Sequence, residues 1–257
     1  MYKLSIFYKK EVKLYKPTEE EVKRRQEEYK KIRLEEIVEE ILEVPYKKRE
    51  DGKYDIYGSV DLYNMWLTNL LEIPIRFGRV YGDFSCSSNQ LVSLEGAPEY
   101  VDGHFDCSHN KLISLKGAPV YVGEHFDCSH NKLISLKGSP EYVGGNFVCS
   151  TNLLRDLKGA PGYVGGEFFC YGNQLISLEG APEYVEKGFE CSRNNLTSLE
   201  GAPKYVGGNF VCDDNYLKDL EGAPKYVGGN FFIYNYPKKF TEEEVRKVVD
   251  VKGKVYV

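Results

Sequence analysis

The chain has 257 residues, of which 42% are hydrophobic and 28% charged, and its formal net charge is −5. This acidic balance argues against a nucleic-acid backbone as the main partner, because such partners favour a basic protein face. Residues 1–6 do not form a signal peptide, and no apolar run is as long as a membrane span. We therefore expect a cytoplasmic protein that binds neither nucleic acid nor membrane.

The N-terminal region, residues 1–57, predicts strand and helix. Residues 2–15 alternate apolar and polar side chains, which predicts one or two strands. Thr18 and Glu21 form the pattern of a capping box, so a helix should begin there and run to about Leu42. Its charged positions are either a solvated face or a partner-binding surface. Five apolar residues at helical spacing should dock the later half on the rest of the protein: Leu34, Ile37, Val38, Ile41 and Leu42.

A polar linker is expected at residues 47–53, followed by a repeat that occupies residues 58–235. Its clearest mark is a set of seven cysteines, each 21 residues after the last: Cys86, Cys107, Cys128, Cys149, Cys170, Cys191 and Cys212. A fixed period of this kind predicts a solenoid, here of about eight to nine coils. A degenerate first coil begins at Val60 and has Met65 where the later coils have Asn.

Within one coil, apolar and polar residues alternate from Val143 to Cys149, which predicts a strand with one apolar side facing inward. An Asn follows at the bend, where an inward amide can pair with the backbone of the turn. It recurs as Asn89, Asn110, Asn131, Asn152, Asn173, Asn194 and Asn215. Residues 159–161, Gly-Ala-Pro, leave no room for a helix. We expect stacked coils with a parallel sheet on one face and extended or 3₁₀ structure on the convex side.

The spacing Phe-x-Cys-x-x-Asn-x-Leu-x-x-Leu resembles the conserved segment of leucine-rich repeats over about residues 60–233. The register is similar to the short repeats of bacterial effector proteins, although each coil is one residue longer. The wording Ser-Leu-Glu-Gly-Ala-Pro-x-Tyr-Val-Gly-Gly also resembles repeat proteins of tailed phages. These resemblances imply a leucine-rich-repeat-like solenoid of phage or bacterial origin, with an α/β N-terminal cap and a short helix–strand C-terminal cap.

The C-terminal region, residues 236–257, is predicted to be that second cap. Tyr236 stands where the repeat would have its Asn, so the repeat should stop there. Thr241 and Glu244 form a second capping box, with Phe240 as a hydrophobic staple, and predict a short helix. Residues 251–257 could add a last strand. We see no room for a catalytic domain in this segment.

Few residues suggest chemistry. Four of them should stack into one outward patch that could bind a metal: His104, Asp106, His125 and Asp127. Residues 104–117 and 125–138 are identical, however, and a duplication explains the pattern more simply. The cysteine row could also bind a soft metal or form disulfides, although an inward cysteine beside Phe and Leu is usually a core residue. We expect no enzyme activity, no cofactor and no metal.

The variable positions lie on the outward side of the strands: before Phe, between Phe and Cys, and after Cys. In the N-terminal half they are acidic and include His104, Asp106, His125 and Asp127. In the C-terminal half they form a partly aromatic stripe: Val148, Phe169, Tyr171, Val211, Phe232 and Tyr234. Such a stripe is typical of a protein-binding surface, and the alternative is a solvated sheet filled with residues of high β-propensity.

We therefore expect a non-enzymatic interaction module that presents a concave sheet to a protein partner. The phage and bacterial resemblance implies action on a host factor in the host cytoplasm. The alternative is a structural component or adaptor of a virion or larger assembly, docked through its N-terminal region.

Overall fold

The computed structural model describes residues 18–235 and 237–257, with the side chain of Leu42 excepted. The chain is a β-solenoid of about ten turns with a repeat of about 21 residues. The strands expected at residues 2–15 lie outside the described residues. Neither described helix is long and apolar enough to cross a membrane.

The N-terminal helix spans Glu19–Glu43 and begins at the predicted capping box. The Thr18 hydroxyl accepts a hydrogen bond from the Glu21 N–H at 3.2 Å, and the Glu21 carboxylate accepts from the Thr18 N–H at 2.9 Å. These two contacts satisfy amides that the first helical turn leaves unpaired.

The later half of this helix docks on the solenoid core. Ile37 and Ile41 are buried, and Leu34 and Val38 pack against the same core. The prediction is confirmed for these four residues, while the side chain of Leu42 lies outside the described set. The spacing placed them on one face of the helix, and the first coil covers that face.

The predicted polar linker at residues 47–53 is wrong, because this segment is the centre of a hairpin. Tyr46–Lys48 pairs antiparallel with Tyr54–Ile56. Tyr54–Ile56 then pairs in parallel with Phe77–Val80 and so begins one of the solenoid sheets. The irregular first coil also contains a 3₁₀ helix at Leu70–Glu72.

Each regular coil contributes two short strands, one beginning at Tyr and one at Phe. The Phe strands form one parallel sheet of ten strands, which we call the Phe-strand sheet. Its strands are Val60–Asp61, Phe84–Ser85, Phe105–Asp106, Phe126–Asp127, Phe147–Val148, Phe168–Phe169, Phe189–Glu190, Phe210–Val211, Phe231–Phe232 and Val255–Tyr256. Equivalent residues of successive coils lie side by side in this sheet, as Phe147 does with Phe126 and Phe168.

The Tyr strands form a second ladder on the neighbouring side of the solenoid. Its regular strands are Tyr100–Val101, Tyr121–Val122, Tyr142–Val143, Tyr163–Val164, Tyr184–Val185, Tyr205–Val206, Tyr226–Val227 and Asp250–Val251. The pairing breaks between Val164 and Val185, which divides the ladder into sheets of seven and four strands. The coil that follows the break has Glu186 and Lys187 where four other coils have Gly-Gly.

The expectation of one sheet was therefore incomplete, because the strand predicted across residues 143–149 is divided by a bend. Val143, Gly145, Phe147 and Cys149 are buried as the alternation predicted. A Cβ atom at Gly144 would lie 2.0 Å from the carbonyl oxygen of Gly123 in the preceding coil, so the backbone at Gly144 leaves no room for a side chain, although the equivalent positions of two other coils hold Asp102 and Glu186. From residue 86 to residue 227, the stretch of each coil between Cys and the next Tyr contains turns and bends, with neither helix nor strand.

The core repeats with the coils. The Phe that begins a Phe strand, the Cys two residues later and the Val of each Tyr strand are fully or almost fully buried, and these Phe rings stack, with centroids 5.3 Å apart for Phe105 and Phe126. Burial raises the pKa of every cysteine thiol, from Cys86 to Cys212, well above its ordinary value. The cysteines are therefore protonated core residues, and all seven are free.

The Asn ladder is confirmed and extends further than expected. The amide of Asn152 accepts from the Leu133 N–H at 3.0 Å and donates to the carbonyls of Cys128, Cys149 and Ser150 at 3.1, 3.1 and 3.2 Å. Each Asn thus joins the turns of two successive coils. At the end of the repeat the ladder continues through Asn235 instead of stopping at Tyr236, which lies outside the described residues.

The C-terminal segment contains the predicted short helix, Glu242–Arg246, with the capping box of Thr241 and Glu244. Beyond it the chain adds one more strand to each ladder, at Asp250–Val251 and Val255–Tyr256. The Arg246 guanidinium donates to the carbonyls of Val251 and Gly253 at 2.8 and 2.9 Å.

Candidate binding surface

Three rows of side chains run along the outer face of the Phe-strand sheet. The first row precedes each Phe: Asp83, His104, His125, Asn146, Glu167, Gly188, Asn209 and Asn230. The middle row follows each Phe: Ser85, Asp106, Asp127, Val148, Phe169, Glu190, Val211 and Phe232. The third row follows each Cys: Ser87, Ser108, Ser129, Ser150, Tyr171, Ser192, Asp213 and Tyr234.

The middle row is half-buried and changes character along the solenoid. Asp106 and Asp127 are neighbours in register, and the next two coils place Val148 beside Phe169. Glu190 follows and interrupts the apolar stretch, which resumes with Val211 and Phe232. The structure therefore brings all four apolar residues predicted for this row onto one line.

One aromatic residue at the end of the line was missed by sequence reasoning. The ring of Tyr256 stacks on Phe232, with centroids 4.6 Å apart, and extends the stripe to the last strand. Tyr256 follows Val255, not a Phe of the repeat, so the repeat pattern did not point to it.

The third row was predicted to lie on the outward side of the strands, but its serines are buried. A serine hydroxyl is short enough to bond the middle-row residue two positions earlier: Ser85 and Ser87 lie 3.2 Å apart, and Ser192 donates to Glu190 at 2.9 Å. The larger members differ. Tyr171 is half-buried, while Tyr234 is 65% exposed.

Ser150 departs from this pairing. Its side chain is completely buried, and its hydroxyl is the one buried side-chain polar atom of the described residues that has no hydrogen-bond partner. Two positions earlier stands Val148, which has no polar side-chain atom, whereas Ser129 bonds the Asp127 side chain. An unpaired buried hydroxyl costs about 1–3 kcal/mol of stability.

The histidines of the first row have a structural role that the sequence did not reveal. Nδ1 of His104 accepts the N–H of His125 at 3.2 Å, and Nδ1 of His125 accepts the N–H of Asn146 at 2.8 Å. Side-chain oxygens of Asp83 and Asn146 bond the next coil in the same way, at 2.7 and 2.9 Å. The sequence did contain one sign of this role, because the residue before Phe has a hydrogen-bond acceptor in four successive coils: Asp83, His104, His125 and Asn146.

Asp106 and Asp127 each accept the N–H of the serine two residues later, at 2.9 and 2.8 Å. Burial raises the pKa of the Asp127 carboxyl, and the charge of Asp106 adds to the effect. Neither carboxylate has an ion-pair partner among the described residues. Among residues 18–235 and 237–257, no group of three or more His, Cys, Asp or Glu side chains could hold a metal ion.

The apolar half of the surface contains a shallow depression of about 300 Å³, lined by Tyr171, Glu190, Arg193, Val211 and Asp213, among others. Burial raises the pKa of Asp213, whose carboxylate also accepts the N–H of Tyr234. A concave site with aromatic and charged walls can receive a projecting side chain of a partner.

A second groove, of about 450 Å³, lies between the N-terminal helix and the first coil. Its exposed walls include Tyr29, Ile32, Tyr63 and Trp66, and the rings of Tyr29 and Trp66 lie 5.7 Å apart. Lys30 is held at this groove, because its ammonium group donates to the Trp66 carbonyl at 3.1 Å and forms an ion pair with Glu72.

The fold defines the protein as a β-solenoid with a chemically divided outer face. Comparison with family models, curated proteins and solved structures found no match.

Proposed function

We propose that the outer face of the Phe-strand sheet binds a protein partner and that the chain acts as a non-enzymatic interaction module. Aromatic residues are enriched among the residues that carry most of the binding energy of protein interfaces, and the buried centre of an interface is more apolar than its rim. The middle row offers such residues at Val148, Phe169, Val211 and Phe232, half-buried on a hydrogen-bonded sheet. A rigid sheet also loses little conformational entropy when a partner binds.

The observation that carries this proposal is the orphaned hydroxyl of Ser150. A polar residue at position 148 would pair with that hydroxyl, as in the coils with Ser85 or Glu190. Val148 therefore lowers the free energy of unfolding, although other coils have polar residues in the same row. Such a cost is typical of positions kept for a function other than stability.

The acidic half specifies the chemistry of the partner. Asp106 and Asp127 lie side by side without a cation, so a lysine or arginine of the partner would relieve their repulsion. The partner surface we propose has basic side chains opposite these carboxylates and apolar side chains opposite Phe169 and Val211. Charge complementarity of this kind fixes the orientation of binding.

We also infer a family and an origin for the chain. The chain is a leucine-rich-repeat-like protein of phage or bacterial origin that acts on a host factor in the cytoplasm, with its terminal segments serving as caps. The support is the repeat wording of the sequence, together with buried side chains at both ends, such as Ile41 and Val245.

The experiment is affinity capture from the native cytosol with Phe169→Ala/Tyr171→Ala, compared with the wild type by mass spectrometry. Both side chains are half-buried on the outer face and lie outside the core, so each substitution should cost about 1 kcal/mol and leave the fold intact. The matched control is Ile176→Ala/Tyr216→Ala, which truncates two exposed residues elsewhere. Loss of a partner by the first variant alone supports the proposal. Retention of every partner by that variant contradicts it.

A second candidate is a structural role in a larger assembly, docked through the N-terminal groove. Trp66 favours it, because this exposed bulky residue has a positive φ of 55°, and strained backbone is often retained at functional sites. The test is Tyr29→Ala/Ile32→Ala, which leaves the Lys30 contacts intact. Loss of incorporation into purified particles, with the outer-face variant still incorporated, would favour this second role.

A further inference from the structure

A ladder of unpaired lysines lies on a third side of the solenoid, between the Asn corner and the Gly-Ala-Pro turn. Two of its lysines follow the Asn of their coils, and two precede the Gly. All four are exposed: Lys111, Lys116, Lys132 and Lys137. Residues 107–117 and 128–138 contain no Asp or Glu, so the local charge is opposite to the net charge of the chain.

None of these four lysines takes part in an ion pair within residues 18–235 and 237–257. Lys111 donates to the Gln90 side chain at 3.1 Å, which leaves its charge uncompensated. The next coil behaves differently, since Lys158 pairs with Glu179 at 2.8 Å. Equivalent lysines of stacked coils lie at about the strand spacing of 4.8 Å, so they repel each other and an anionic ligand would relieve this repulsion.

Exposed aliphatic residues stand between the lysines of these two coils and at the equivalent position of the coil before them, which has Gln90 and Glu95 in place of the lysines. Val92, Ile113 and Ile134 occupy equivalent positions in three successive coils and are 56%, 57% and 67% exposed. An apolar centre with a polar rim is the usual composition of a protein–protein interface. Single-stranded nucleic acid is bound through aromatic side chains that stack on bases, whereas the exposed side chains between the two lysines of each coil are aliphatic.

We propose that this lysine face binds an acidic protein segment with alternating aliphatic side chains, extended along the solenoid axis. Its carboxylates pair with the lysines, and its aliphatic side chains cover Ile113 and Ile134. Three short aliphatic residues offer little area for insertion into a lipid bilayer, so a protein segment fits better than a membrane. This site is separate from the acidic and aromatic outer face and does not depend on its function.

The test is fluorescence anisotropy with a labelled peptide of about twelve residues in which glutamate alternates with valine and alanine, at low salt. Lys111→Glu/Lys132→Glu should weaken binding about tenfold or more, because both substitutions reverse charge at the contact. The matched control, Lys218→Glu/Lys225→Glu, makes the same charge change at exposed lysines of later coils and should stay within about twofold of the wild type.

Two further measurements separate charge from aliphatic contact. Ile113→Ser/Ile134→Ser should weaken the same peptide without changing the charge, and a peptide with glutamine in place of glutamate should fail to bind. No binding of the acidic peptide overturns the proposal, as does equal weakening by both lysine variants. Tighter binding to oligothymidylate or to phosphatidylserine vesicles would also overturn it and assign the face to those ligands.

Discussion

The two sides of the Phe-strand sheet belong to the same strands but differ in how their residues vary. On the inner side every regular coil repeats Phe and Cys, and these side chains are fully buried. On the outer side the middle row changes from Asp106 and Asp127 to Val148 and Phe169 within four coils. The break between Tyr163–Val164 and Tyr184–Val185 does not affect this sheet, which stays paired through all ten strands.

The difference shows where stability and recognition are located. Replacement of an inner residue disturbs contacts with the coils before and after it, since each coil contacts only its neighbours. Replacement of an outer residue changes the surface and, at most, one hydrogen bond to an adjacent coil. The following predictions test this separation, beginning with the largest effect.

The largest contrast should appear in thiol reactivity. All seven cysteines are buried on the inner side, where burial raises the pKa of each thiol, so the reactive thiolate is scarce in the folded chain. Native protein should react with a maleimide orders of magnitude more slowly than unfolded protein. A Val92→Cys variant, which adds an exposed thiol, supplies the control and should label at once. Fast labelling of the wild type would place the cysteines outside.

Asn152→Ala should give the largest loss of stability. It removes the acceptor of the Leu133 N–H and the donor of three buried carbonyls, which should cost about 3 kcal/mol. The measurement is urea unfolding followed by circular dichroism. Asn195→Ala, at an exposed position next to the ladder, should have little effect. Equal effects of the two substitutions would mean that the ladder does not hold the coils together.

An intermediate effect is expected at His125, where the outer face does contribute to stability. His125→Asn retains an acceptor for the N–H of Asn146, as Asn146 itself does for the next coil, and should unfold at nearly the same urea concentration. His125→Val removes the acceptor and should cost about 1 kcal/mol. If the two variants are equally stable, the hydrogen bond accepted by the His125 imidazole does not contribute to stability.

A smaller effect should depend on pH. Burial raises the pKa of Asp127 in the folded chain, so the folded state binds more protons than the unfolded state between the ordinary and the raised value. The contribution of Asp127 to stability should therefore fall as the pH rises through this interval. Asp127→Asn removes the ionisation while it keeps an acceptor for the Ser129 N–H, and it should flatten the curve and raise stability at neutral pH. A stability difference between Asp127→Asn and the wild type that does not grow with pH in this interval would contradict this prediction.

Much of the fold could be predicted because a strict period and residue chemistry determine it. The inward Phe and Cys, the Asn ladder and both capping boxes follow from local spacing. The division into two sheets could not be predicted, because burial alternates without interruption through the bend at residues 144–146. A period of two residues is the same on both sides of such a bend.

The candidate site was predicted less well, because its details depend on contacts between coils. The outward position of the middle row was predicted, but the burial of Ser150 and its equivalents was not, because most of these serines bond the middle row. The role of His104 and His125 as hydrogen-bond acceptors depends on the distance between successive coils. Trp66 was not recognised as part of a groove, since the helix that forms the other wall is distant in sequence.

The most direct test of the central claim, that the apolar row is kept at a cost to stability, is a double-mutant cycle between Val148 and Ser150. Val148→Thr keeps the side-chain shape and adds a hydroxyl that can pair with Ser150, as Ser85 pairs with Ser87. Ser150→Ala removes the orphaned group and should stabilise the chain by about 1 kcal/mol. The account predicts that Val148→Thr stabilises only when Ser150 is present, with a coupling of about 1 kcal/mol. Additive effects within about 0.3 kcal/mol would contradict it.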